Sequence, residues 1–304
     1  MDKEGLLKRL SVVEGLASAS KLKRMLSMPF RYISAIVFRE IIYKKKRKEK
    51  RVVCNTFFNS SMHLLLPSST DIYLTGGKSH HSEIRLAKYL IQNLNKDETF
   101  IDVGGHYGYF TLLGSHRVGE GGEVFSFEAS PNTYQILSKN CLPHQNIQCF
   151  HLAVSDVVGE LEFYEFPNLY SEYNTLEIDQ FKNEKWFSEY KPTLIQVKSV
   201  VLDDFISTHN INPKIIKIDV EGAEFNVING MSNSLTKHSP IVIMEYLAAE
   251  RFNNPHLKAE SKLKSLGYKA HLIDDSGNLI LLESVSNYFE QYEIESDNIV
   301  FCKD

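Results

Sequence analysis

Apolar residues gather in short runs from about residue 80 onward, and longer stretches with helical spacing separate these runs. The runs at 100–103, 124–127, 215–218 and 241–244 have the length of buried strands. Strands that alternate with helices predict an α/β fold with a doubly wound, mostly parallel sheet. We therefore assign residues 80–304 to one domain of this class.

Other segments surround this predicted domain. Residues 1–51 have helical spacing and a basic end, which predicts a helical N-terminal extension. Residues 52–79 contain short β-like runs, including 72–74, and predict a hairpin that leads into the domain. Residues 147–154 predict a third core strand. An aromatic-rich insertion near 164–194 is predicted to cover the carboxyl end of the sheet, and we call it the lid.

Composition narrows the class of protein. With 304 residues, of which 43% are hydrophobic, the chain can bury one large core. Its four cysteines form no C-x-x-C pair, which favours a reducing compartment and predicts a cytoplasmic protein. Residues 1–51 hold 15 Lys or Arg and 5 Asp or Glu, a charge of +10, so the rest of this −4 chain carries −14. An acidic domain is a poor match for nucleic acid, and we expect no nucleic-acid partner.

The end of the extension has two interpretations. Residues 29–43 are strongly apolar, and residues 44–51 follow with seven basic side chains. The apolar run is shorter than the roughly 20 residues of a spanning helix. A helix followed by basic residues can lie on an anionic membrane, which predicts peripheral contact through residues 29–51. The alternative is a helix packed on the main domain and followed by solvated charges.

The run from Phe100 to Gly108 predicts a strand that enters a glycine-rich turn. Gly104, Gly105 and Gly108 allow the backbone to turn tightly, and the helix that follows directs its amides at the turn. Glu128 ends the next predicted strand, 20 residues after Gly108. A carboxylate at this position can accept both hydroxyls of a ribose. The pattern therefore predicts a cofactor that contains a nucleoside.

The spacing favours S-adenosylmethionine (SAM) over a dinucleotide. A G-x-G-x-x-G motif would place its first glycine at Val103, and Asp102 would repel a pyrophosphate. SAM carries an ammonium and a sulfonium and has no phosphate, so it suits a site with Asp102. A nicotinamide-dependent oxidoreductase remains the alternative enzyme.

A third acidic strand end supplies candidates for catalysis. Lys217, Asp219 and Glu221 alternate along one predicted strand and its turn, and Glu245 ends the next strand. Asp219 or Glu221 can take a proton from a hydroxyl, while Lys217 orients one of them or the substrate. The alternative is that Lys217 pairs with Glu224 for structural reasons. Asp219, Glu221 and Glu245 could hold Mg²⁺, but their spacing does not require it, so we predict no metal.

These motifs resemble the FkbM-type family of SAM-dependent methyltransferases. The matching pieces are residues 100–109, 127–131, 153–156, 201–204 and 216–224. The resemblance implies a seven-stranded Rossmann-like domain and O-methylation of a hydroxyl on a glycan or small molecule. It also implies a cofactor site formed by Asp102, Gly104, Gly105, His106, Gly108, Glu128, Ser130, Ser155, Asp156 and Asp219. His106 departs from the family, which usually has Asn there. A non-catalytic SAM-binding protein that docks on membranes is a third hypothesis.

Overall fold

The structure is a computed structural model that describes residues 1–251 and 253–303. Its strands are β1 (Lys50–Asn55), β2 (Ser61–Leu66), β3 (Thr99–Val103), β4 (Glu123–Phe127), β5 (Ile147–Phe150), β6 (Ala153–Ser155), β7 (Gly159–Glu165), β8 (Thr193–Val201), β9 (Ile215–Ile218), β10 (Ile241–Leu247), β11 (Lys269–Ile273), β12 (Leu279–Leu281) and β13 (Ser296–Cys302). Its α-helices are α1 (Lys3–Ala17), α2 (Lys21–Ser27), α3 (Pro29–Val37), α4 (Lys44–Lys46), α5 (Thr70–Thr75), α6 (His81–Asn93), α7 (Tyr109–Val118), α8 (Pro131–Cys141), α9 (Leu202–Thr208), α10 (Glu224–Asn229), α11 (Ser232–Lys237), α12 (Asn254–Ser265) and α13 (Val285–Tyr292). A π-helical turn covers Phe38–Tyr43, and 3₁₀ turns cover Asn168–Tyr173, Asp179–Phe181 and Ala249–Arg251.

The largest sheet has the strand order β12-β11-β13-β10-β9-β3-β4-β5. The five neighbouring strands β10, β9, β3, β4 and β5 are parallel to one another. The pairs β10–β13, β13–β11 and β11–β12 are antiparallel. The predicted doubly wound, mostly parallel α/β fold is confirmed. Within the described residues this sheet has eight strands, where seven were expected. The edge strand β12 follows the turn at 274–277 and pairs with β11 over three residues.

Both faces of the sheet are covered because its central strands are apolar on both sides. Phe100 of β3 belongs to a core cluster with residues of α6, α7 and α8. Its neighbour Ile101 points to the opposite face, where α9 to α13 contribute to a second cluster. Because helices cover both faces, the carboxyl ends of the parallel strands stay open, and the candidate functional site lies there.

Two local predictions are wrong, and one helix was not predicted. Residues 72–74 lie in α5 and not in a strand, since the chain turns into a helix after Ser69 and leaves it at Gly76, where φ is +78°. The predicted strand 147–154 is divided into β5 and β6, and β6 pairs with β8 in a separate three-stranded sheet. Helix α13 was not anticipated. The predicted hairpin is present as the antiparallel pair of β1 and β2.

The extension has two parts with different packing. In α1, the buried residues Leu6, Leu10 and Val13 join the main core. The later part, from α2 to α4, buries few residues. Within the ranges 1–251 and 253–303, none of the helices combines the length and hydrophobicity needed to cross a bilayer.

The lid lies between the antiparallel strands β7 and β8. Its aromatic residues pack mainly on one another: Trp186 stacks on Tyr170 and Tyr173, with ring centroids 4.1 and 5.4 Å apart. This stacking makes a small core that holds the 3₁₀ turn Asn168–Tyr173 against the body.

Candidate functional site

A cleft of about 810 Å³ opens at the carboxyl ends of the parallel strands. Gly104, Glu128 and Asp219 follow the ends of β3, β4 and β9, while Glu245 lies within β10, and all four line the cleft. Strand β3 has β4 on one side and β9 on the other, so strand order reverses here. Open α/β sheets bind their ligands at such a point.

The glycine turn brings two backbones into close contact. Gly104 has a φ of +80°, and a Cβ atom there would lie 1.7 Å from the carbonyl oxygen of Asp219. Gly108 has a φ of +90° and precedes α7. Gly105 lies between them, against the Ser126 side chain. Since only glycine fits at 104, the predicted cofactor turn and the turn at Asp219 form one continuous surface.

Glu128 is fixed beside this turn by backbone amides. Its Oε2 accepts a hydrogen bond from the His106 amide at 2.9 Å, and its Oε1 accepts one from the Ser130 amide at 2.9 Å. Burial raises the pKa of Glu128 to about 8, although these two donors oppose the shift. Each oxygen has a further lone pair, so the carboxylate can still accept hydrogen bonds from a ligand in the cleft.

The His106 side chain lines the cleft and faces the lid. Its backbone is left-handed, with a φ of +48°, and its Nε2 lies 3.1 Å from Ser171 Oγ in the 3₁₀ turn. Burial lowers the pKa of His106 to about 4, so the ring is neutral at physiological pH. The departure from the usual Asn therefore places an uncharged ring between the glycine turn and the lid.

Lys217 is a buried cation between two carboxylates. Its Nζ lies 3.1 Å from Asp219 Oδ2 and 3.5 Å from Asp102 Oδ1. Burial favours a neutral amine, but Asp219 and Asp102 outweigh it and raise the pKa of Lys217. Burial also acts on Asp219, yet the charge of Lys217 and a hydrogen bond from Glu245 keep its pKa below the ordinary value. Asp219 is therefore ionised.

Asp219, Glu221 and Glu245 form what we call the acid cluster, in which one oxygen from each residue lies within 4.8 Å of the others. Burial and the charge of Asp219 raise the pKa values of Glu221 and Glu245 well above the ordinary value. Among the residues that the structure describes, the buried Glu221 Oε2 has no hydrogen-bond partner. The cluster can be neutralised by shared protons, and it is also the set of residues that could hold a divalent cation.

The turn that carries Glu221 is attached to the lid. Glu221 has a φ of +53°, which puts it in the turn after β9 and not in the strand. Its carbonyl oxygen accepts hydrogen bonds from Thr175 Oγ1 and Gln180 Nε2, both at 2.5 Å. The suggested structural pair of Lys217 and Glu224 is absent from the ion pairs of the described residues, because Glu224 contacts His256 at 3.2 Å.

Six predicted cofactor residues do not line the cleft: Asp102, Gly105, Gly108, Ser130, Ser155 and Asp156. Asp102 is buried in β3 and accepts a hydrogen bond from Thr111. Ser130 caps α8, and Asp156 accepts bonds from Asn226 and Asn229, which attaches α10 to β6. Ser155 is buried next to Asp156. In this structure these residues position the elements around the cleft, and their contact with a cofactor stays a prediction.

Sequence reasoning missed a second group of charged residues in the cleft. Lys78 Nζ lies 2.9 Å from Glu83 and 2.7 Å from Glu172, a lid residue. Burial raises the pKa of the nearby Asp71 to about 7. Arg39 and Arg251 also line the cleft. Because Lys78 and Glu172 are 94 positions apart, no local motif indicates their pairing.

Comparisons with known proteins identify relatives of this chain. The chain is 24% identical over 181 residues to the hexuronic acid methyltransferase AglP of Haloferax volcanii, covering 59% of this chain and 68% of AglP. It is 29% identical over 171 residues to Methyltransferase 1 of Beauveria bassiana, covering 50% of this chain and 66% of that protein. The chain thus spans about two thirds of the length of these relatives.

A solved structure, the methyltransferase FkbM from Methylobacillus flagellatus KT, aligns with a TM-score of 0.43 and 15% identity, over 77% of this chain and 52% of that one. Residues 102–270 match the methyltransferase FkbM domain, which is more than half of the chain. This span begins at Asp102 in β3 and includes the glycine turn, Glu128 and the acid cluster. The chain therefore belongs to the FkbM family of methyltransferases.

Proposed function

We propose that this protein is a SAM-dependent O-methyltransferase that acts on a hydroxyl of a glycan or of a glycosylated small molecule. One observation carries the proposal: Glu128, beside the glycine turn, and the acid cluster with Lys217 line the same cleft. The relative AglP is named for methylation of a hexuronic acid, which supports a sugar-like acceptor. Membership in a methyltransferase family sets the oxidoreductase alternative aside.

The residues in the cleft fit SAM by their chemistry. Glu128 is a buried carboxyl group, and among the described residues each of its oxygens accepts one hydrogen bond, so it can also receive the two hydroxyls of a ribose. The ionised Asp219 lies where a ligand with an ammonium and a sulfonium is favoured. When bound, SAM supplies a methyl group that is already activated by its positive sulfur.

The protein must also position a hydroxyl and accept its proton. Asp219 is ionised and faces the cleft, so its carboxylate can accept the hydrogen bond of the acceptor hydroxyl. Lys217 holds this carboxylate in place, with its Nζ 3.1 Å from Asp219 Oδ2. A positioned base of this kind contributes about 10²–10⁴-fold to a rate. The protonated Glu245 shares a hydrogen bond with the ionised Asp219, which leaves Asp219 as the member of this pair that can take up the proton.

The experiment uses the purified protein with methyl-labelled SAM and a panel of hexoses, uronic acids and their glycosides. We expect label to enter a hydroxyl of at least one sugar acceptor, as located by mass spectrometry. S-adenosylhomocysteine should raise the melting temperature, whereas NAD should not. Failure of both SAM and S-adenosylhomocysteine to bind would overturn the proposal. Binding with no transfer to any acceptor would support the non-catalytic hypothesis.

A further inference from the structure

Large apolar side chains cover the outer face of the N-terminal extension. Phe30, Ile33, Val37 and Ile41 are 90%, 52%, 40% and 52% exposed, and we call them the apolar stripe. They recur every three or four residues along α3 and the π-helical turn, so they share one side of the helix. Leu22 and Leu26 of α2 are exposed as well. Exposed apolar residues that are grouped in this way mark an interaction surface.

The opposite side of the same helix packs on the rest of the protein. Phe38 and Tyr43 are buried and pack in a cluster with Leu66 and Tyr190. The Tyr43 hydroxyl accepts a hydrogen bond from the Leu169 amide at 3.2 Å. Because the inner face is already packed on the body and the lid, the stripe stays exposed among residues 1–251 and 253–303. The interpretation of a helix packed on the main domain therefore applies to the inner face alone.

The charge around the apolar stripe indicates which kind of partner binds to it. Residues 20–51 contain twelve Lys or Arg and two Glu, a net charge of +10, while residues 52–304 carry −14. A second copy docked through this stripe would bring two segments of +10 together, which is unfavourable. An anionic lipid surface attracts the basic residues and accepts the apolar side chains, and it repels the rest of the protein.

We propose that the apolar stripe and the adjacent basic segment, residues 44–51, dock this enzyme on the surface of an anionic membrane. Arg39 lies between Val37 and Ile41 in the chain and also lines the cleft, as does Leu169, which binds Tyr43. The docked surface is therefore next to the mouth of the cleft. Docking of this kind is independent of the proposed methyl acceptor.

The test is flotation of the full chain with vesicles. We expect binding to vesicles of phosphatidylcholine and phosphatidylserine, little binding to phosphatidylcholine alone, and weaker binding as salt is added. The double variant Phe30→Ser/Ile33→Ser should lower vesicle binding by about tenfold or more, because its apolar contact is lost. The triple variant Lys44→Glu/Lys45→Glu/Lys46→Glu should also bind weakly, and added salt should affect it less than the wild type.

The matched control is Leu142→Ser, which removes an apolar side chain that is 85% exposed at the far end of α8. This variant should bind vesicles like the wild type. The stripe side chains are exposed, so the variants should keep the wild-type response to S-adenosylhomocysteine, which also separates this test from that of the methyltransferase activity. The proposal is overturned if the wild type ignores anionic vesicles, if Leu142→Ser loses as much binding as the stripe variant, or if the stripe variant converts a dimer to a monomer.

Discussion

The His106 amide donates a hydrogen bond to Glu128 Oε2 at 2.9 Å, across 22 positions of sequence. This bond ties the glycine turn after β3 to the acid after β4. It fixes the carboxylate without using its remaining lone pairs, so the position is ready for a ligand.

Replacing this carboxylate should impair cofactor binding. Glu128→Gln presents an NH₂ group to one of two backbone donors that now face an acceptor oxygen. We expect S-adenosylhomocysteine to bind about 10- to 100-fold more weakly, since a buried donor that loses its acceptor costs about 1–3 kcal/mol. Calorimetric titration measures the dissociation constant of S-adenosylhomocysteine. Glu123→Gln, at the exposed start of the same strand, should bind like the wild type.

Asp219→Asn should slow the methyl transfer. The amide cannot accept a proton, so we expect kcat to fall by about 10²–10⁴-fold. Initial rates with labelled SAM measure the loss. Asp204→Asn, at an exposed position of α9, is the control and should keep the wild-type rate. An unchanged kcat in Asp219→Asn would show that another group takes the proton.

Lys217→Met should destabilise the fold. The change removes the buried cation that lies 3.5 Å from Asp102 and 3.1 Å from Asp219. Breaking a buried ion pair from one side costs about 3–5 kcal/mol, because the remaining charge is left uncompensated. Urea denaturation gives the unfolding free energy. Lys214→Met, just before the same strand and exposed, should cost much less; equal losses in the two variants would contradict the role of this cation.

Glu221→Gln should gain stability relative to the wild type as the pH rises above 4.5. Burial, with the charge of Asp219, holds the pKa of Glu221 well above 4.5, so the native state keeps a proton that the unfolded chain releases above pH 4.5. The unfolding free energy of the wild type therefore falls as pH rises from 4.5 toward the folded pKa, by up to about 1.4 kcal/mol per pH unit.

The variant lacks this titration. Its melting temperature relative to the wild type should increase between pH 5 and pH 8, as measured by calorimetry. Glu162→Gln, on the exposed side of β7, should show no such trend. A gain that is the same at pH 5 and pH 8 would contradict the assigned protonation.

His106→Asn should improve tolerance of acid. The pKa of His106 is about 4 in the folded state and ordinarily 6.5, so the unfolded chain binds a proton first as the pH falls. The wild type therefore loses stability from pH 6.5 downward, through about pH 4. Asn tolerates the left-handed backbone and has no such titration. We expect the wild-type melting temperature to drop more steeply than that of the variant between pH 7 and pH 5, with His81→Asn, an exposed position, behaving like the wild type.

The sequence predicted the strand ends and not the residues that surround them. Asp219 and Glu128 follow buried apolar strands, and parallel strands present their carboxyl ends at one edge, so local pattern and topology are enough to bring them together. Asp156 follows a strand as well, but it binds Asn226 and Asn229 of α10, a contact that depends on how the helix packs. The pairing of Lys78 with Glu172 depends on the path of the lid, which has no periodic pattern.

The hydrogen bonds from Thr175 and Gln180 to the Glu221 carbonyl have a consequence for redesign of the lid. The lid, which covers the cleft, is also the support of the turn that carries Glu221, a member of the acid cluster. Substitutions that reshape the lid would therefore also disturb the protonation of the acid cluster. A variant with a redesigned lid must therefore keep those two donors, or replace them together with the turn that they hold.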